Sequence, residues 1–149
     1  MKEPVVVDST CLIGLENVDH LDLLPHLFEP VHAPPEVERE FGSSPEWLKI
    51  ERPSNPDLVK ALKVTVDDGE AEAIALAVER QWRIVLDDLK ARDLAQRMGL
   101  RVIGTVGLLV RAKSAGLVPW INPLLIKLSE RGFRLSEDLK REALRLAGE

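Results

Sequence analysis

The chain has 149 residues, the size of one ordinary domain and enough to bury a real core. Its 45% hydrophobic and 30% charged content are those of a soluble globular protein, and no apolar run approaches the roughly 18 residues of a membrane span. A net charge of −5, no Tyr and few Phe or Trp argue against coating phosphates with clustered cations or stacking bases on an aromatic platform.

The elements are predicted in chain order from apolar periodicity and turn chemistry. Val5–Val7 reads as a short strand buried on both faces, because it is continuously apolar rather than alternating. Cys11–Leu15 carries apolar residues into a first helix, and Leu21–Phe28 gives a helical segment broken by Pro25. In PVHAPPEVEREF a strand at Val31–Ala33 precedes a helix, with Pro35 suited to its first turn. Residues 43–56 are loop-rich, with a short strand at Lys49–Glu51. In VDDGEAEAIALAVERQ, Ala71, Ile74, Ala75 and Val78 share one helical face, and Asp67 with Glu70 forms a capping pair.

WRIVLDD repeats the opening pattern: Ile84–Leu86 is apolar and ends in Asp87 and Asp88. A helix follows in LKARDLAQRMG, stopped by Gly99, then a strand at Val102–Ile103 and the helix of VGLLVRAKSAG. Residues from about 119 to 149 form a helical C-terminal extension, with Ser136 as the N-cap of its last helix. Alternating strands and helices predict one α/β domain over residues 1–149, with a central, mainly parallel sheet and helices on both faces. With a single Cys11 there is no internal disulfide framework, and with no basic segment leading a long apolar one, a cytoplasmic location is the default.

Ligands of open parallel sheets bind outside the carboxyl ends of the strands. Asp8 and Asp87 or Asp88 fall at such ends. Glu40 lies in the helix after the second strand, and Asp68, Glu70 and Glu72 in the first turns of a later one. Converging carboxylates repel one another unless a cation intervenes, and an all-oxygen donor set suits Mg²⁺ or Mn²⁺. His20, His26 and His32 are scattered and show no zinc spacing. Most of these acids also have an ordinary reading: Asp8 as a helix cap, Glu40 as a solvated helix acid, Glu70 as a capping partner, Asp87 and Asp88 as an N-terminal pair offsetting a helix dipole. Glu72 differs, because with Ala71, Ala73 and Ala75 it lies on a small-residue surface where the helix is closely approached. The phosphatase pattern D-x-D-x-[TV] is broken at Thr10.

The blocks VVVDSTCLIGL, PPEVEREF, GEAEAIALA, VLDDLKARDLA, MGLRVIGTVGLLVRAKSAGLV, INPLLIKLSERGFRLSEDL and LAGE together resemble the PIN-domain ribonucleases, particularly the VapC-like toxins. The resemblance implies a three-layer α/β/α fold and an Mg²⁺- or Mn²⁺-dependent endoribonuclease, with Asp8, Glu40, Glu72 and Asp88 as catalytic and metal-ligating acids and Asp87 as the alternative fourth. Ser9 matches the small hydroxyl residue beside the first acid. Lys90 and Arg92 stand where they can contact substrate phosphate. Two positions depart from the pattern: Glu72 stands where the toxins usually have Asp, and Leu86 replaces the usual Thr or Ser. The resemblance further implies an RNA substrate, a homodimer or higher homo-oligomer, and, for a toxin, a cognate antitoxin inserted over the acids. The alternative is a non-catalytic PIN-fold module binding RNA or a protein partner.

Overall fold

A computed structural model describes residues 2–149. Five strands, β1 (Glu3–Val7), β2 (Phe28–Ala33), β3 (Leu48–Ile50), β4 (Arg83–Val85) and β5 (Val102–Ile103), form one all-parallel sheet in the order β3-β2-β1-β4-β5. Helices α1 (Ser9–Asn17), α2 (Leu23–Leu27), α3 (Pro35–Phe41), α4 (Pro56–Leu62), α5 (Asp68–Arg80), α6 (Leu89–Arg97), α7 (Thr105–Ser114), α8 (Asn122–Glu130) and α9 (Glu137–Leu146) complete the order. The arrangement is the three-layer α/β/α fold expected from the alternation of elements.

Val5, Val6 and Val7 lie in the central strand and are fully buried, which explains a strand with no polar alternation. Helix α5 packs on β1 and β4 and against α3 and α4. Its buried Ala71, Ala73, Ala75 and Ala77 keep it slim on the faces that touch these neighbours. The expected caps are present: Asp67 and Glu70 make the reciprocal capping box of α5, and Ser136 accepts from Leu139 N at the start of α9.

Two expectations change. Phe28 opens β2 instead of closing a helix, and α2 is confined to five residues. The loop-rich stretch ends in a helix: Asn55 caps α4 by accepting from Leu58 N at 3.1 Å, and Pro56 occupies its first position. Asn before Pro is the local signal for that start, and the surrounding prolines masked it.

Candidate functional site

The chain leaves β1 and turns towards β2 and β3, then crosses to β4 and β5 on the other side. The reversal opens a crevice at the carboxyl ends of β1 and β4, where ligands of such sheets bind. Val7 lies beside Val85 in register, so the two strands deliver Asp8 and the pair Asp87 and Asp88 to the same rim.

Asp8 occupies the N-cap position of α1, yet its side chain makes no capping bond. It is 4% exposed, and its Oδ1 is buried without a hydrogen-bond partner among the described residues. Burial pushes its carboxyl up to about 8; the Ser9 amide opposes the rise, and the charges of Glu70, Asp67 and Glu40 add to it. A buried carboxylate oxygen without a donor is costly unless a proton or a cation meets it.

Glu40 reaches this rim from the last turn of α3. Ser9 Oγ donates to its Oε1 at 3.0 Å, so the hydroxyl beside Asp8 holds the second acid in place. The carboxylate lies over Gly69: a Cβ added there would stand 2.2 Å from Glu40 Oε1. Gly69 thus leaves room for that carboxylate, within a helix that otherwise favours Ala. Burial raises the Glu40 carboxyl, opposed by the Ser9 hydroxyl and reinforced by the charge of Asp67.

Of the two glutamates on α5, Glu70 faces the rim and the expected Glu72 does not. Residues two apart on a helix point about 200° apart, so Glu70 and Glu72 face different ways. Glu70 is buried among the rim acids; burial pushes it up to about 7, with the charges of Asp67 and Asp88 contributing after the opposing Asp67 amide. Its Oε1 accepts from Asp67 N at 3.1 Å, while Glu70 N donates to Asp67 Oδ1 at 2.8 Å. Glu72 instead accepts from the amide of Glu36 at 3.2 Å and lines a pocket on the α4 flank. The capping box supplied a sufficient local explanation of Glu70, which is why sequence reasoning passed over it and over Asp67.

Across the crevice, Asp87 and Asp88 divide their roles. Asp87 accepts from Thr105 N at 2.8 Å and from Thr105 Oγ1 at 2.6 Å, which engages both of its oxygens. Burial raises its carboxyl, while Thr105 and then Arg92 pull it back. Asp88 is exposed, caps α6 through Oδ2 to Ala91 N at 3.0 Å, and acts on Glu70 from across the rim. Leu86, where a hydroxyl was expected, is fully buried. Thr105, at the start of α7, brings a hydroxyl to the adjacent Asp87 instead.

Arg92 donates to Leu86 O at 2.9 Å and is half-buried, so it braces the turn between β4 and α6. Lys90 is exposed on the same helix. Cys11 is buried, as its apolar setting predicted.

An all-carboxylate donor set around an orphaned buried oxygen fits a hard divalent cation and fits zinc poorly. Among the described residues, no three His, Cys, Asp or Glu side chains stand together so as to hold a metal ion as they are.

The fold is a parallel α/β sheet with acids at its switch point, an arrangement that several classes of α/β enzyme share. The chain belongs to the PIN-domain family, whose model, described as a PIN domain, matches residues 4–149. PIN domains are in general nucleases that act on RNA and typically use divalent metals. No curated protein matches the chain. Among the described residues, no helix is long and apolar enough to cross a membrane.

Proposed function

We propose that this PIN domain is an Mg²⁺- or Mn²⁺-dependent endoribonuclease whose ion is held by Asp8, Glu40, Glu70 and Asp88. The observation that carries the reading is Asp8 Oδ1, buried without a donor and faced by the charges of Glu70, Asp67 and Glu40. A bound divalent ion supplies an acidified water and offsets charge on the scissile phosphate. The chain's own residues set the geometry. The end of β1 fixes Asp8, Ser9 and Gly69 set Glu40, and the capping box with Asp67 turns Glu70 inward. Asp88 keeps Oδ1 free of its capping bond and is the better fourth ligand, because Asp87 spends both oxygens on Thr105.

Asp8→Asn removes the orphaned oxygen's charge. Calorimetric titration with Mn²⁺ is expected to show binding to the wild type and none to the variant. RNA cleavage is expected to require the divalent ion and to fall at least about 100-fold in the variant, the scale of losing one group that positions a catalytic charge. Undiminished metal-dependent cleavage by Asp8→Asn would sink this site.

A second reading has its own support. Glu70 and Asp88 both serve as helix-capping groups, and among the described residues no three such side chains stand together so as to hold a metal ion as they are, which suits a PIN fold that binds RNA or a protein without cutting. Absence of Mn²⁺ binding to the wild type would favour it. A toxin role would add homo-oligomers and an antitoxin over the acids, and a small open reading frame beside the gene is the observation that supports it.

A further inference from the structure

On the α4 side of α5, Arg52, Lys60 and Lys63 line a pocket of about 370 Å³ with Pro53, Val59 and Glu72. The loop that carries Arg52 is pinned residue by residue. Glu51 is paired with Arg80 and His32, Ser54 donates through N and Oγ to Glu79 at 2.9 and 2.6 Å, Pro53 is buried, and Asn55 caps α4. Its neighbours are tied inward, which leaves Arg52 on the pocket wall. Lys60 and Lys63, three residues apart, share one face at the end of α4. Among the described residues neither Arg52 nor Lys60 has an acidic partner within 4.0 Å, and Lys63 only reaches Asp68 Oδ1 at that distance.

The pocket adjoins the acid rim. Asp68 lies between Asp67 and Gly69, the residues beside Glu70 and under Glu40. Glu72 lines the pocket with the three cations and turns Oε1 to the Glu36 amide, while Asp68 and Glu36 act on Lys63 from its edge. By contrast Arg92, on the opposite flank, is committed to the turn below Asp87. In a chain of net charge −5, this gathers three exposed cations beside an anionic site.

We propose that the Arg52–Lys60–Lys63 pocket holds a backbone phosphate of single-stranded RNA and so sets the path of the strand into the acid rim. The inference rests on the nuclease reading for the direction of the strand, but its binding test does not depend on cleavage. A labelled single-stranded oligoribonucleotide is titrated with the full chain carrying Asp8→Asn, so that the RNA stays intact, and followed by anisotropy. Adding Arg52→Ala, Lys60→Ala and Lys63→Ala is expected to weaken binding about tenfold or more. It is also expected to flatten the slope of log affinity against log salt by about 0.7 for each phosphate no longer neutralised.

Glu72→Gln, which removes one opposing charge, is expected to tighten binding. The single exposed change Lys60→Glu tests the same point should the triple variant fail to fold. Unchanged affinity and salt slope in both cation variants, or no RNA bound by the parent, overturns the proposal. A wild type that binds no Mn²⁺ and cuts no RNA, alongside weakened binding in the cation variants, removes the nuclease reading and leaves the pocket as an RNA site.

Discussion

Asp8 and Gly69 carry the most information at the scale of single residues. The orphaned Oδ1 of Asp8 is a cost the fold bears where a donor or a cation would relieve it. Gly69 acts by what it lacks, since the missing side chain makes room for Glu40 beside Asp67 and Glu70. Gly69→Ala tests this sharply, because Ala is the better helix residue by up to about 1 kcal/mol and the φ here is not left-handed. Yet its methyl would meet the Glu40 carboxylate and force it aside. The expected outcome is a stability near or above wild type in urea unfolding, with Mn²⁺ affinity lowered about tenfold, the effect of misorienting one ligand. Equal metal affinity would mean that Glu40 is not a ligand. Thr105 shows how a function passes between residues, since its hydroxyl reaches Asp87 although Leu86 has none to offer.

At the scale of elements, helix ends decide most of the site. Asp67 and Glu70 start α5, Asp88 starts α6, and Thr105 opens α7, so capping groups and rim acids are partly the same atoms. The C-terminal helices depend on a comparable bond. Glu149 Oε2 accepts from Ile121 N at 2.8 Å and from Lys113 Nζ at 3.0 Å, and Oε1 accepts from Asn122 N at 3.1 Å. Glu149, beyond the end of α9, therefore caps α8 and anchors to α7. Glu149→Ala is expected to cost about 1 kcal/mol, within the range of a lost N-cap. It should lower the urea midpoint without affecting metal binding; an unchanged midpoint would show that the clasp does not hold in solution.

At the scale of the whole molecule, the buried acids make stability depend on pH. Asp8 moves from an ordinary value of 3.8 to about 8, and Glu70 from 4.5 to about 7, both chiefly through burial. The folded state therefore binds more protons than the unfolded state between about pH 4 and pH 8, so stability falls as pH rises across that window. With metal chelated, the melting temperature of the wild type should drop between pH 4 and pH 8, while Asp8→Asn shows a shallower drop. The variant should be the more stable by several degrees at pH 8, at about 2–4 °C for each kcal/mol in a domain of this size. Superimposed profiles would mean that Asp8 is not protonated in the fold. Divalent ions should reverse the trend and release protons on binding, because the ligands must be charged to hold them.

Much of this protein is written locally. Continuous valines ending in an acid mark a buried parallel strand that opens at a rim, and WRIVLDD repeats the mark in the neighbouring strand. The Asp67–Glu70 box, the Ser136 cap and the alternation of strands and helices are short-range features, so sequence determined the fold class, the edge where the acids gather, and Asp8, Glu40 and Asp88 as residues of that edge. Tertiary structure decided what depends on packing between distant segments. The docking of α5 on β1 and β4 turns Glu70 to the rim and Glu72 to the flank, a choice that two glutamates in an alanine-rich helix leave open. Thr105 meets Asp87 across 18 residues, and Arg52 meets Lys60 and Lys63 because Ser54 and Glu79 fold the loop down. The reason is physical: the cap and strand signals lie within one turn or one strand, whereas the face a side chain presents is set by what the rest of the chain packs against it.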